Sequence, residues 1–146
     1  MIKKEMIYFY DEEAFTQPRE LLAEGEIDGY EYIIISCGLY PMVYVKLGKA
    51  SAIQELALLR NEFYVLDNIH DFHGGVTSVT EYLDAGEREF RVGNYIGWRY
   101  NTDNDFIAGK YFENHANGKK WTTAELVEEA KAAVKAIKDY ENAENS

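Results

Sequence analysis

Residues 30–48, YEYIIISCGLYPMVYVKLG, constrain the fold more than any other stretch of the chain. Two runs rich in β-branched and aromatic residues flank Cys37-Gly38-Leu39-Tyr40-Pro41, where glycine and proline punctuate the chain as they do in a hairpin. Successive residues of a strand point to opposite faces, so the unbroken Ile33-Ile34-Ile35 offers apolar side chains to both sides. A strand of that kind belongs in the middle of a sheet covered on both faces.

The rest of the chain supplies partners and cover. Its 146 residues are the size of one domain, and 47% apolar with 28% charged residues is a globular composition. Residues 6–10 (MIYFY) read as a strand. In DEEAFTQPRELLAEG, Pro18 suits a first helical turn and Gly25 a C-terminal stop. Residues 51–63 place Ile53, Leu56, Leu58 and Leu59 at helical spacing behind Ser51 as N-cap. Residues 68–80 form a polar, glycine-bearing loop that runs into a strand. Acidic turns at 84–89 precede a further strand over 90–100, with Tyr95, Gly97 and Arg99 on one face and Asn94, Ile96, Trp98 and Tyr100 on the other.

Thr122-Thr123-Ala124-Glu125 has the spacing of a capping box. Val127, Ala130, Val134 and Ile137 then recur on one helical face, opposite Glu128, Lys131, Lys135 and Lys138. The helix is expected to end near Tyr140. The reading is α+β: one domain over 1–140, a mostly antiparallel sheet with two or three helices including a long C-terminal one, and a frayed tail over 141–146.

Charge narrows the function. With 26 acidic against 15 basic residues the formal charge is −11, which excludes a non-specific grip on nucleic acid or on an anionic membrane. Cys37 is the single cysteine, so neither an internal disulfide nor a CxxC zinc site can form. Asp11, Glu12 and Glu13 break the N-terminal apolar run, and no segment approaches the ~20 apolar residues of a membrane span. A cytoplasmic protein is expected.

The densest chemical signal is His70-Asp71-Phe72-His73-Gly74-Gly75-Val76-Thr77. Two histidines flanking an aspartate suit zinc or iron(II) in ligand type, but residues three apart on a strand or loop face different ways. No metal or other cofactor is expected. Gly74 and Gly75 let the backbone approach a ligand and present N–H groups to an anion. Four of five arginines, Arg60, Arg88, Arg91 and Arg99, lie between 60 and 99, a positive focus on a negative body. Guanidinium groups grip phosphate in bidentate fashion, and Tyr95, Trp98 or Tyr100 beside them suit stacking on a base. Asp103, Asp105 and Glu113 form an acidic cluster without calcium-loop spacing.

Cys37-Gly38-Leu39-Tyr40, His73-Gly74-Gly75-Val76-Thr77, Gly97-Trp98, Asp105-Phe106 and Trp121-Thr122 together resemble a group of small uncharacterised proteins encoded by phages and prophages of Firmicutes. The resemblance spans about residues 30–138, and His73, Gly74, Gly75, Thr77, Gly97 and Asp105 fit its motifs. Arg99 and Thr102 stand where the group has Asp and His. The resemblance implies no activity; it implies a setting, since small phage proteins of this kind frequently antagonise bacterial immunity.

The expected function is therefore a phage-encoded anti-defence factor, acting in the host cytoplasm as a homo-oligomer. It sequesters a nucleotide-derived immune signal rather than contacting nucleic acid directly. Arg88, Arg91 or Arg99 with the glycine loop would hold phosphate; Phe72, Tyr95, Trp98 or Tyr100 would stack on the base; His70, His73 and Thr77 would give directional hydrogen bonds. On this reading His73→Ala and Arg99→Ala abolish function without unfolding, and Cys37→Ala affects stability alone. Two alternatives stand beside it. One is a nucleic-acid mimic that inhibits a host defence nuclease through nine acids in the first 31 residues. The other is a phosphodiesterase-like hydrolase using His73, although a second His-Xaa-Ser/Thr is missing.

Overall fold

The isoleucine run sits in the second strand of a five-stranded sheet. A computed structural model describes residues 2–6, 19–48, 63–86, 89–108 and 110–144. Strands β1 (Glu20–Ile27), β2 (Tyr30–Ser36), β3 (Pro41–Leu47), β4 (Val76–Asp84) and β5 (Phe90–Arg99) lie in the order β1-β2-β3-β5-β4. Every pairing is antiparallel. The first three strands form a meander, and the β4–β5 hairpin then docks its second strand beside β3.

Local sequence explains the turns. Asp28 and Gly29 take φ of 52° and 89°, and Ile27 pairs with Tyr30, so two left-handed residues close the β1–β2 hairpin. Asp-Gly is the preferred pair for that turn, because its twist matches that of the strands. The β2–β3 turn lies at 37–40, as the Cys-Gly-Leu-Tyr-Pro pattern predicts.

Alternation then sorts the side chains. Ile34, Val43, Val45, Ile96 and Trp98 point to one face, and Ile33, Ile35, Met42, Tyr44 and Tyr95 to the other, all of them buried. Helix α1 (Thr123–Glu144) covers the first face with Leu126, Val127, Ala130, Ala133, Val134 and Ile137. Its start is closed by the expected capping box: the Thr122 amide donates to Glu125 Oε1 at 3.0 Å and the Glu125 amide to Thr122 Oγ1 at 3.2 Å. The distant Glu5 adds to it, accepting the Thr123 amide at 2.7 Å.

Three expectations change. Among the described residues there is one α-helix, joined by 3₁₀ turns at Phe63–Asn68 and Lys110–His115, rather than two or three helices. Residues 20–25, expected to end a helix, are strand, because Leu21 and Leu22 each bury against one side of the sheet. The final helix extends past its expected end near Tyr140, to Glu144, and Glu141 accepts a hydrogen bond from the Tyr30 hydroxyl. Of the strand expected over 6–10 and the helix expected over 51–63, residues 7–10 and 51–62 lie outside the described residues. No described helix is long and apolar enough to cross a membrane.

Candidate functional site

The chain leaves β5 at Arg99 and folds into a turn in which the Asp105 amide donates to the Thr102 carbonyl at 3.0 Å. This turn points the Asp105 carboxylate inward, where it is 2% exposed. A buried carboxylate needs donors, and three separate segments supply them. Trp121 Nε1 donates to Oδ1 at 2.9 Å, while Oδ2 accepts the Thr102 amide at 2.9 Å, its hydroxyl at 2.8 Å and His73 Nε2 at 2.5 Å. Burial alone would push the Asp105 carboxyl up; the bonds from Trp121, His73 and Thr102 outweigh it and hold the group below the usual carboxylate value.

The backbone of Asp105 is engaged as well. Its carbonyl accepts His115 Nδ1 at 3.1 Å, and on either side of it the Lys119 amide donates to the Asn104 carbonyl at 2.9 Å and the Phe106 amide to the Lys119 carbonyl at 3.0 Å. Asp105 thus ties the His73 loop, the 102–105 turn and the 115–121 loop to the start of α1.

Aromatic rings close one side of this knot. His73 stacks on Tyr100 at 4.4 Å with 15° between planes, and meets the edge of Trp121 at 5.3 Å. Trp98 Nε1 donates to the Tyr100 hydroxyl, which donates in turn to Glu129 on α1. Burial pushes the Tyr100 hydroxyl far up, so it stays protonated.

The predicted residues divide accordingly. The structure brings together His73, Gly74, Arg99, Tyr100 and Asp105, and a Cβ on Gly74 would come 3.5 Å from the Arg99 carbonyl oxygen. It closes the proposed stacking rings: Phe72, Tyr95, Trp98 and Tyr100 are core side chains, and none presents a free face to a base. Of the glycine pair, Gly75 has its amide engaged within the protein. The Gly75 amide is held by the Phe72 carbonyl at 2.8 Å, and an Asp67 carboxylate oxygen lies 3.3 Å from where a Gly75 Cβ would be. His70 packs its ring against Phe72 at 4.9 Å, and Thr77 is exposed on β4. Arg91 stands eight residues from Arg99, roughly 26 Å along the strand, and is paired with Glu24 and Glu89. Arg88 lies outside the described residues. The acidic cluster does not converge: Asp105 turns inward while Asp103 and Glu113 are exposed. Among the described residues no three His, Cys, Asp or Glu side chains gather as a metal site requires.

The acids expected to mimic nucleic acid are largely neutralised where they are described. Glu20 pairs with Lys4 at 2.7 Å, Glu24 with Arg91 at 2.9 Å, Asp28 with Lys138 at 3.2 Å and Glu31 with Lys46 at 3.8 Å.

Beside the knot is a cavity of about 420 Å³ that the sequence did not reveal. Its walls come from the β2–β3 turn (Cys37, Leu39, Tyr40), the residue after Tyr100 (Asn101), Ile107, and the 3₁₀ turn (Phe112, His115). Arg99 reaches its wall, donating from Nη1 to the Tyr40 hydroxyl at 3.3 Å. Arg99 Nε is buried without an acceptor, and a buried donor left unmade costs about 1–3 kcal/mol. Burial, aided by the nearby Cys37, raises the Tyr40 hydroxyl, against the opposing charge of Arg99 and a hydrogen bond from Asn101. Trp121 and Thr102 at the knot, and every residue of the cavity wall, lie outside the site that sequence reasoning outlines. Only Trp121 carried a signal, as an aromatic directly before a capping box.

The chain matches no family model, no curated protein and no solved structure.

Proposed function

We propose that the protein binds a small nucleotide-derived molecule in the cavity between the β2–β3 turn and the Phe112–His115 segment, and sequesters it without chemical change. The cavity carries this reading. About 420 Å³ lies within the range of small-molecule sites, and its wall combines apolar Leu39, Ile107 and Phe112 with convergent polar Tyr40, Asn101 and His115. The setting, a phage-encoded antagonist of bacterial immunity, follows from the resemblance in sequence.

Sequestration is favoured over hydrolysis by the way the knot is wired. Both oxygens of Asp105 are taken by donors, and His73 spends Nε2 on that carboxylate between two rings. His73 is not part of the cavity wall, whereas a general base must reach the proton it removes. The protein is mixed with cyclic mono- and dinucleotides, washed, denatured, and the released small molecules weighed by mass spectrometry. Intact nucleotide, recovered in proportion to protein, supports the reading. A shifted product mass favours the hydrolase instead, and recovery of nothing removes both.

A further inference from the structure

The cavity beside the knot offers a guest hydrogen bonds rather than charge. Among the described residues that line it, none is Lys, Arg, Asp or Glu. A phosphate placed there would meet no countercharge, and burying an unpaired charge costs far more than burying a neutral polar group. The flat, uncharged part of a nucleotide is its base. Its faces suit the apolar Leu39, Ile107 and Phe112, and its edge needs polar partners.

What the wall offers that edge follows from bonds already made behind it. The Tyr40 hydroxyl accepts Arg99 Nη1 at 3.3 Å and the Asn101 side chain. A hydroxyl has two lone pairs, so with both taken its own proton is what remains to give. Asn101 spends its amide nitrogen on Tyr40, which leaves its carbonyl oxygen as an acceptor. His115 Nδ1 lies 3.1 Å from the Asp105 carbonyl, which only accepts, so Nδ1 carries the ring proton. In the neutral ring Nε2 is then a second acceptor. The wall thus presents one donor and two acceptors. Adenine, cytosine and uracil expose at least as many acceptor groups as donor groups on their pairing edge. Guanine exposes more donors, N1–H and the N2 amine, beside the one acceptor O6.

We propose that the cavity holds the base of the nucleotide and selects guanine, with Tyr40 donating to O6 and with Asn101 and His115 accepting from N1–H and the N2 amine. The proposal rests on the binding reading above and names the nucleotides that the cavity takes. Arg99 acts from behind the wall, holding the Tyr40 hydroxyl so that its proton is free for the guest. Ribose and phosphate stay toward solvent, so the base decides which nucleotide binds.

The test is titration calorimetry on the full chain at pH 8 and fixed salt. It compares the 3′,5′-cyclic monophosphates of guanosine, inosine, adenosine, cytidine and uridine, with guanosine itself alongside. The guanine compound should bind about 5- to 150-fold more tightly than the inosine compound, which lacks only the N2 amine, and should lead the other three by at least as much. Guanosine should bind more tightly than the inosine compound, because the phosphate stays outside. Tyr40→Phe removes the donor that guanine and hypoxanthine both use, so it should weaken those two alike and narrow their lead over adenine. Asn101→Ala removes an acceptor at an exposed residue; it should also narrow the lead of guanine over adenine, and it stands in should Tyr40→Phe fail to fold. Equal binding of the five bases, a tighter fit for another base, guanosine weaker than the inosine compound, or a guanine lead that survives both substitutions would overturn the proposal and leave the binding reading standing. If no compound binds, both fall.

Discussion

His73 Nε2 lies 2.5 Å from Asp105 Oδ2, and that carboxylate is itself buried against Trp121 and Thr102. Two residues 32 apart in sequence thus share the contact on which three loops converge. An ionised carboxylate accepts from up to four directions, and here four donors use it. Its role in the fold is that of a joint.

The pH dependence of stability follows from this joint. Asp105 is held below its ordinary value, so its contribution is fully present above the unfolded carboxylate pKa of ~3.9 and is lost as pH falls through the lower, folded value. Asp105→Asn places an amide against the Thr102 and His73 donors and should cost about 3–5 kcal/mol, as in other broken buried pairs. Urea unfolding of both proteins should give a constant difference from pH 7 down to about pH 5, shrinking below pH 4. A difference that grows with acidification would show that the folded protein holds this carboxyl protonated.

His73→Ala is expected to act on the fold first. It removes a hydrogen bond to a charged group and the ring stacked on Tyr100, for a loss of roughly 1.5–3 kcal/mol. The protein that remains folded should still bind a cyclic nucleotide, since His73 does not line the cavity. This reverses the expectation from sequence, in which His73 touched the ligand. Unchanged melting with abolished binding would restore that earlier view.

Gly118 tests the joint from another side. A Cβ there would sit 2.2 Å from the carbonyl carbon of Asp105 and 2.4 Å from the amide of Phe106. Both are backbone atoms and cannot swing aside as a side chain can. Gly118→Ala should therefore exceed an ordinary helix or loop substitution and cost about 1–3 kcal/mol through displaced backbone. A melting temperature within a degree of the parent protein would mean that the 115–121 loop adjusts freely.

What was legible in sequence was local. Alternation placed Ile96 and Trp98 opposite Tyr95, and the capping box located the start of α1, because both signals lie within a few residues. Asp28-Gly29 marks the β1–β2 hairpin, but Pro18 and Gly25 read equally well as helix punctuation and hide that signal in the sequence. The candidate site was half legible. His73, Arg99 and Asp105 stood out by residue type, yet nothing in sequence said that Asp105 would turn toward Trp121, or that Tyr40 and His115 would share a cavity. Such convergence depends on which loops the sheet order brings to one end, and that is a long-range property.

Cys37 offers a direct test of where the ligand sits. The residue is half-buried, donates weakly from Sγ to the Tyr40 carbonyl at 3.4 Å, and forms part of the cavity wall. The sequence reading gives it a role in stability alone. Its place on the wall means instead that an alkylating reagent must enter the cavity to reach it. Iodoacetamide should modify the native protein slowly, as a single mass increment, and a saturating cyclic nucleotide should slow the reaction further. Binding that stabilises the fold also suppresses opening motions everywhere, so a second probe is needed. A cysteine introduced at Val92, an exposed position on β5, should react at the same rate with and without nucleotide. Protection of Cys37 alone places the ligand in this cavity. Equal rates at Cys37 with and without a nucleotide shown to bind by calorimetry would place it elsewhere.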